Sequence, residues 1–179
     1  EGAMRILEEI GIDFLNEEAR AILKAAGCDV GETRVRMDRG FVMEKIALCP
    51  AEFAITPRNP ARAITMGGAN MLFGNVSSPP NCMDLERGKR PGDRESFREL
   101  MKLTHWFECI HFAGGYPVEP VDLHPSTRHL DCLLDKFVLT DKCVHAYSLG
   151  PERVEDVLEM QRIASGVSEE DFAAIPRIY

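Results

Sequence analysis

Apolar and polar positions change their spacing twice along the chain, and each change predicts a different kind of structure. In the first fifty residues the spacing is helical. Met4, Leu7 and Ile10 fall on one side of segment 3–10, and Gly11 stops it. Ala19, Ile22, Leu23 and Ala26 share a face of a second helix. Asn16 is placed to cap that helix, Glu17 and Glu18 sit at the positive end of its dipole, and Gly27 ends it. Val35 and Met37 alternate with Arg34 and Arg36 after Gly31-Glu32, which predicts a hairpin. Asp38 opens a third helix reaching Leu48, with Pro50 beyond its end.

From Phe53 the apolar runs become short. Segments 53–56, 63–66 and 71–76 read as strands separated by Pro57, Asn59-Pro60 and Gly67-Gly68. A fourth strand at 82–85 turns at Arg87-Gly88. This pattern predicts an antiparallel meander, so residues 1–92 are expected to form an α+β cap with its own small sheet. At Asp93 the spacing changes again. Asp93 caps a helix with Phe97, Leu100, Met101, Thr104 and Phe107 on its inner face. Strand 110–115, helix 126–139, strand 143–149 and helix 151–165 follow, with Pro151 at the first helical position and Gly166 at the end. Ser168-x-x-Asp171 resembles a capping box for a further short helix, and Ile178-Tyr179 reads as the start of another strand. Strand starts near 110, 143 and 177 give a period of about 33 residues, close to that of a (β/α)8 barrel of about 250 residues. Residues 93–179 are thus expected to be the first units of a truncated TIM barrel, or an open α/β sheet.

The stretch that gathers the chemistry is Ile110–Asp122. An apolar strand stops at Gly114-Gly115 and turns into a loop carrying Tyr116, Glu119 and Asp122. Loops at the carboxyl ends of parallel strands are where α/β folds bind ligands. The plain alternative is a crossover loop with solvated acids. Phe112, Tyr116 and Tyr147 belong to the same strand-and-rim region. Tyr116 and Tyr147 are the candidates for an aromatic cage that would hold a quaternary or tertiary amine by cation–π attraction, with Glu119 or Asp122 supplying negative potential. Arg128 is placed to pair with Glu119 or Asp122 and hold the loop. His111, Glu119 and His145 form a long-range set that a metal-dependent lyase or hydrolase would need. The alternative is one core histidine and one rim donor. No Gly-x-Gly-x-x-Gly, Walker loop, Gly-x-Ser-x-Gly or His-Glu-x-x-His occurs.

Composition narrows the classes. At 179 residues and 45% hydrophobic the chain can bury a core. A formal charge of −8 speaks against a nucleic-acid partner. No apolar run approaches the roughly 18 residues of a membrane span, and no signal peptide opens the chain. The six cysteines form no Cys-x-x-Cys pair and read as small apolar residues of a reducing cytoplasm. A first residue other than Met and the strand-like end suggest a piece of a longer protein. A barrel left open would bare an apolar helix face, including Leu133, Phe137, Val154 and Leu158, and favour homo-oligomers.

Several separated stretches together resemble the trimethylamine:corrinoid methyltransferase family. They are ILEEIGIDF at 6–14, EEARAILKAAGCDV at 17–30, RNPARAITMGG at 58–68, MDLERGKRP at 83–91, HFAGGYPVEPVD at 111–122 and RHLD at 128–131. The resemblance covers essentially the whole chain and implies the N-terminal part of a (β/α)8 enzyme with an N-terminal extension. The implied reaction moves a methyl group from a methylated amine, or a betaine such as glycine betaine, to the cobalt of a corrinoid (cobalamin-type) cofactor carried by a partner protein, in the one-carbon metabolism of methanogenesis. It also implies that Gly114, Gly115, Glu119, Pro120 and Asp122 shape the bowl, leaves the catalytic residues unassigned, and implies no activity for this stretch alone. A non-enzymatic assembly module is the remaining alternative.

Overall fold

The structure is a computed structural model describing residues 1–147 and 149–179. The chain divides into two compact units, Glu1–Ala51 and Glu52–Tyr179. The boundary expected near residue 92 falls inside the second.

In the first unit α1 (Gly2–Arg5) runs on as a π turn over Ile6–Ile10 and ends at Gly11, whose φ of 80° suits glycine. Strand β1 (Ile12–Asp13) leads to α2 (Glu17–Ala25), capped as expected by the Asn16 side chain, which accepts from the Ala19 N–H at 2.9 Å. Strands β2 (Asp29–Val30) and β3 (Arg34–Arg36) form the expected hairpin, and β1 joins the other edge of β3, all antiparallel. Val35, at the centre of this sheet, is fully buried. Helix α3 (Arg39–Ala47) starts at Asp38, whose carboxylate accepts from the Gly40 and Phe41 N–H groups.

The second unit opens with two antiparallel hairpins. One is β4 (Glu52–Ile55) with β5 (Ile64–Gly67), bridged by a 3-10 turn at Pro60–Arg62. The other is β6 (Asn81–Asp84) with β7 (Gly88–Pro91), turning at Gly88 with φ of 65°. The expected strand at 71–76 is not part of this meander. There Gly74 bridges Phe112 in parallel, and the Phe73 carbonyl accepts from the His111 N–H at 2.7 Å. Glycine permits that approach, since a Cβ at residue 74 would lie 2.2 Å from the Phe112 ring.

Helix α4 (Arg94–Trp106) is capped by Asp93, which accepts from the Ser96 N–H at 2.7 Å. Then come β8 (Phe112–Ala113), α5 (Arg128–Leu139), β9 (Cys143–Val144), α6 (Pro151–Ser165) and α7 (Glu169–Ala174). β8 and β9 are parallel neighbours in the register Phe112↔Cys143 and Ala113↔Val144. Both are shorter than expected, because past Gly114 the backbone turns to side chains. The Gly114 N–H goes to Asn75 Oδ1 at 2.7 Å and the Tyr116 N–H to Tyr147 Oη at 2.8 Å. On the second strand the Ala146 N–H goes to the Tyr179 carbonyl at 2.8 Å. Ser148, within the expected strand 143–149, lies outside the described residues.

The period-two alternation sorts the core into two layers. Ala113 and Val144 meet Phe97, Met101, Cys132, Leu133, Phe137 and Val157 from the helices, whereas Cys143 meets Ile55 and Ile64, with Phe112 against them. Leu133 and Phe137, expected on a bared helix face, are therefore buried. Leu134 and Val138 on the opposite side of α5 are 51% and 64% exposed.

Helices α4 and α5 are tied by charge as well as by packing. Asp135, 1% exposed, accepts from Arg94 Nε at 2.8 Å and from Arg98 Nη1. Asp135→Ala should destabilise the fold by about 1–3 kcal/mol. This is below the cost of breaking a fully buried pair, because both arginines can turn to water. Urea titration checks it, and an unchanged midpoint would show that the α4–α5 contact stands on apolar packing.

Candidate functional site

The turn after β8 is built by close approach. A Cβ on Gly115 would lie 1.9 Å from Ser77 Oγ and 2.2 Å from Tyr147 Oη, and one on Gly114 would lie 2.8 Å from the Asn75 carbonyl. Glycine at both positions lets segment 75–78 and the chain after β9 close on this turn. Tyr147 is the hub. Its phenol oxygen accepts the Tyr116 N–H and hydrogen-bonds the hydroxyls of Ser78 and Ser77. The Tyr116 and Tyr147 rings lie 4.5 Å apart, tilted by 48°, and His145 meets Tyr147 edge-on at 5.2 Å.

The remaining rim residues separate. Glu119 forms an ion pair with Arg128, which also donates to the Leu123 carbonyl at 2.9 Å, so Arg128 holds the loop through Glu119. Asp122 takes a different role: its Oδ1 accepts from the Arg94 N–H at 2.9 Å, in the first turn of α4. Tyr116 is 8% exposed, with Phe97 edge-on to its ring at 5.7 Å, so it belongs to the core as much as to the rim. A cavity of about 220 Å³ opens beside the ring pair, lined by Tyr116, Glu119, Arg128, His129, Tyr147 and Arg153, with Pro125 and Leu149. A second, much smaller cavity of about 10 Å³ is lined by Tyr116, Tyr147, His129, His145 and Lys136, with Leu133 and Val157.

Lys136 is the residue that the sequence reading missed. It is 1% exposed, its Nζ donates to the Gly114 carbonyl at 3.0 Å, and it lies 5.6 Å and 5.9 Å from the centroids of the Tyr116 and Tyr147 rings. A methylated ammonium was expected over these rings, and the protein's own amine stands there. Desolvation pushes its pKa down to about 7. Burial and the nearby Lys136 charge both lower the pKa of His145. Burial raises that of the Cys132 thiol to about 12 and moves the Tyr116 phenol upward as well. A signal for Lys136 was present in the helical spacing, since it shares the inner face of α5 with Cys132, Leu133 and Phe137.

The three residues of the metal reading have separate partners. His111 Nδ1 accepts from the Phe73 N–H at 2.9 Å, Glu119 pairs with Arg128, and His145 packs on Tyr147 and Tyr179. Among the described residues no group of three or more His, Cys, Asp or Glu side chains is placed to hold a metal ion. Likewise, no helix among the described residues is long and apolar enough to cross a membrane.

Comparison of the sequence with known proteins places this chain in a family. The family model described as Trimethylamine methyltransferase (MTTB) matches residues 1–179. A glycine betaine methyltransferase of Desulfitobacterium hafniense (strain Y51) is 34% identical over 166 residues, which is 93% of this chain. The chain spans 35% of the length of that relative.

The lysine makes stability depend on pH in a defined window. Between about pH 7 and the ordinary lysine value of 10.5, the unfolded chain binds a proton at this residue that the native chain does not. Stability from Lys136 therefore rises with pH across that window, and its penalty is fully present below about pH 7. Lys136→Met should stabilise most in acid, with the gain over wild type shrinking steadily as the pH rises through the window. Urea midpoints of the two proteins over a pH series check this. A pH-independent difference would mean that the amine is not desolvated.

Proposed function

Because the chain belongs to the trimethylamine methyltransferase family, we propose that it forms the methyl-donor side of an enzyme passing a methyl group from a methylated amine or betaine to the cobalt of a corrinoid held by a partner protein. The observation that carries this reading is the family match across the whole chain, joined by the identity to a glycine betaine methyltransferase. In this reading β8–α5–β9–α6 are the first units of a (β/α)8 barrel, and residues 1–92 precede it. Support comes from the parallel pairing of β8 with β9 through a helical crossover. The candidate rim residues are Gly114, Gly115, Tyr116, Glu119 and Tyr147. Asp122 acts at one remove, by fixing the start of α4.

The chemistry asks little of acid–base groups. The carbon–nitrogen bond breaks with its electron pair staying on nitrogen, so a positively charged donor leaves as a neutral amine. The corrinoid, presented by its carrier, supplies the electron pair of the new bond. The chain's task is to hold the methyl group in line and keep water away. The cavity favours one kind of donor. Its lining holds one carboxylate, Glu119, against the two guanidiniums of Arg128 and Arg153. A zwitterionic betaine, with a carboxylate to set against Arg153, suits that charge balance better than a bare cation.

The test uses the protein expressed from its complete gene with a reduced corrinoid protein, following methyl transfer by the corrinoid absorbance. Demethylation of glycine betaine or trimethylamine is expected. Tyr147→Ala should raise the Michaelis constant several-fold, as expected for a cation–π contribution of about 0.5–2 kcal/mol, and leave binding of the corrinoid protein unchanged. Absence of methyl transfer from any methylated amine or betaine would overturn the reading. An unchanged Michaelis constant would move the donor site away from Tyr147.

A further inference from the structure

We infer that Lys136 decides which charged molecules this rim accepts: its ammonium and a substrate's methylated ammonium draw on the same pair of tyrosine rings, so each disfavours the other. The inference rests on the reading of the rim as the methyl-donor site. It begins from geometry. Lys136 reaches from α5 to the Gly114 carbonyl and lies within 6 Å of both ring centroids. The same two rings line both the small cavity that Lys136 also lines and the larger one, where a ligand has room.

Among the described residues, the groups around the amine leave its charge unanswered. On α5, Asp135 is turned to Arg94 and Arg98, and His129 is paired with Asp156. The Cys132 thiol and the Tyr116 phenol stay protonated, since burial raises both. After β9, His145 is held toward its neutral form and Tyr147 hydrogen-bonds Tyr116 and the two serines. α4 contributes apolar Phe97 and Met101 to this core and α6 contributes Val157. At the rim Glu119 is balanced by Arg128. A proton on Lys136 therefore places an uncompensated positive charge beside the rings, and a cation in the larger cavity feels it through a poorly screening interior. Linkage makes the effect reciprocal: a bound cation must make Lys136 easier to deprotonate by the same factor.

Tetramethylammonium, a cation with no proton of its own, is the probe. Its binding to the protein expressed from its complete gene is measured by calorimetry from about pH 6 to about pH 9, a range spanning the lowered lysine value. Affinity should rise roughly tenfold with pH, the scale expected for unit charges about 12 Å apart at an effective dielectric near 20. Lys136→Met should bind tightly at every pH, and Lys136→Arg, which keeps its charge, weakly at every pH. In ¹⁵N-lysine spectra of the wild type, the probe should lower the pH at which Lys136 titrates, a readout that needs no variant to fold. If the probe binds with no pH dependence and leaves the Lys136 titration unmoved, the inference falls while the cation site stands. If glycine betaine binds in the same measurement and the probe does not, the inference alone falls; if neither binds, the donor-site reading falls and takes the inference with it.

Discussion

Everything at the candidate site follows from one short parallel pairing, Phe112–Ala113 against Cys143–Val144. It sets two chains side by side in a register that sends Ala113 and Val144 to the helices and Cys143 to the β4–β5 hairpin. Where it stops, the two chains are still neighbours, so Tyr147 meets Tyr116. The turn after β8 could not close with side chains at 114 and 115, and Tyr147 fastens it by accepting the Tyr116 N–H. Ladder bonds thus give way to side-chain bonds where a ligand-binding rim is expected in an α/β unit.

The same junction concentrates the electrostatic cost of the fold. An amine that is 1% exposed, with no carboxylate partner among the described residues, is unfavourable when charged, and its hydrogen bond to the Gly114 carbonyl is the contact that tolerates either protonation state. Asp135, the next residue toward the helix start, is equally buried but fully answered by Arg94 and Arg98. Two adjacent residues of α5 therefore do opposite things: one locks α4 to α5, the other leaves a titratable group beside the tyrosine pair.

Much of this was legible in the sequence. The caps at Asn16, Asp38 and Asp93 stand because a short polar side chain before an apolar-periodic run has few other uses. The parallel β8–β9 neighbourhood followed from the period of about 33 residues, and the approach of Tyr116 to Tyr147 followed from that neighbourhood. What escaped depended on tertiary contacts. Segment 71–76 has the composition of a meander strand, yet Gly74 lets it lie against Phe112. The two acids of the loop looked alike, and only the placement of Arg94 and Arg128 separates them. Lysine on the inner face of α5 carried a helical-spacing signal, but the carbonyl it reaches belongs to another element.

The most direct test is a crystal structure of the protein expressed from its complete gene, with a methylated ammonium or betaine bound. The donor-site assignment predicts the ligand in the cavity beside Tyr147, with its methylated nitrogen within about 6 Å of that ring centroid. A betaine would in addition turn its carboxylate toward Arg153. A ligand bound elsewhere, with Tyr147 and Arg153 untouched, would contradict it.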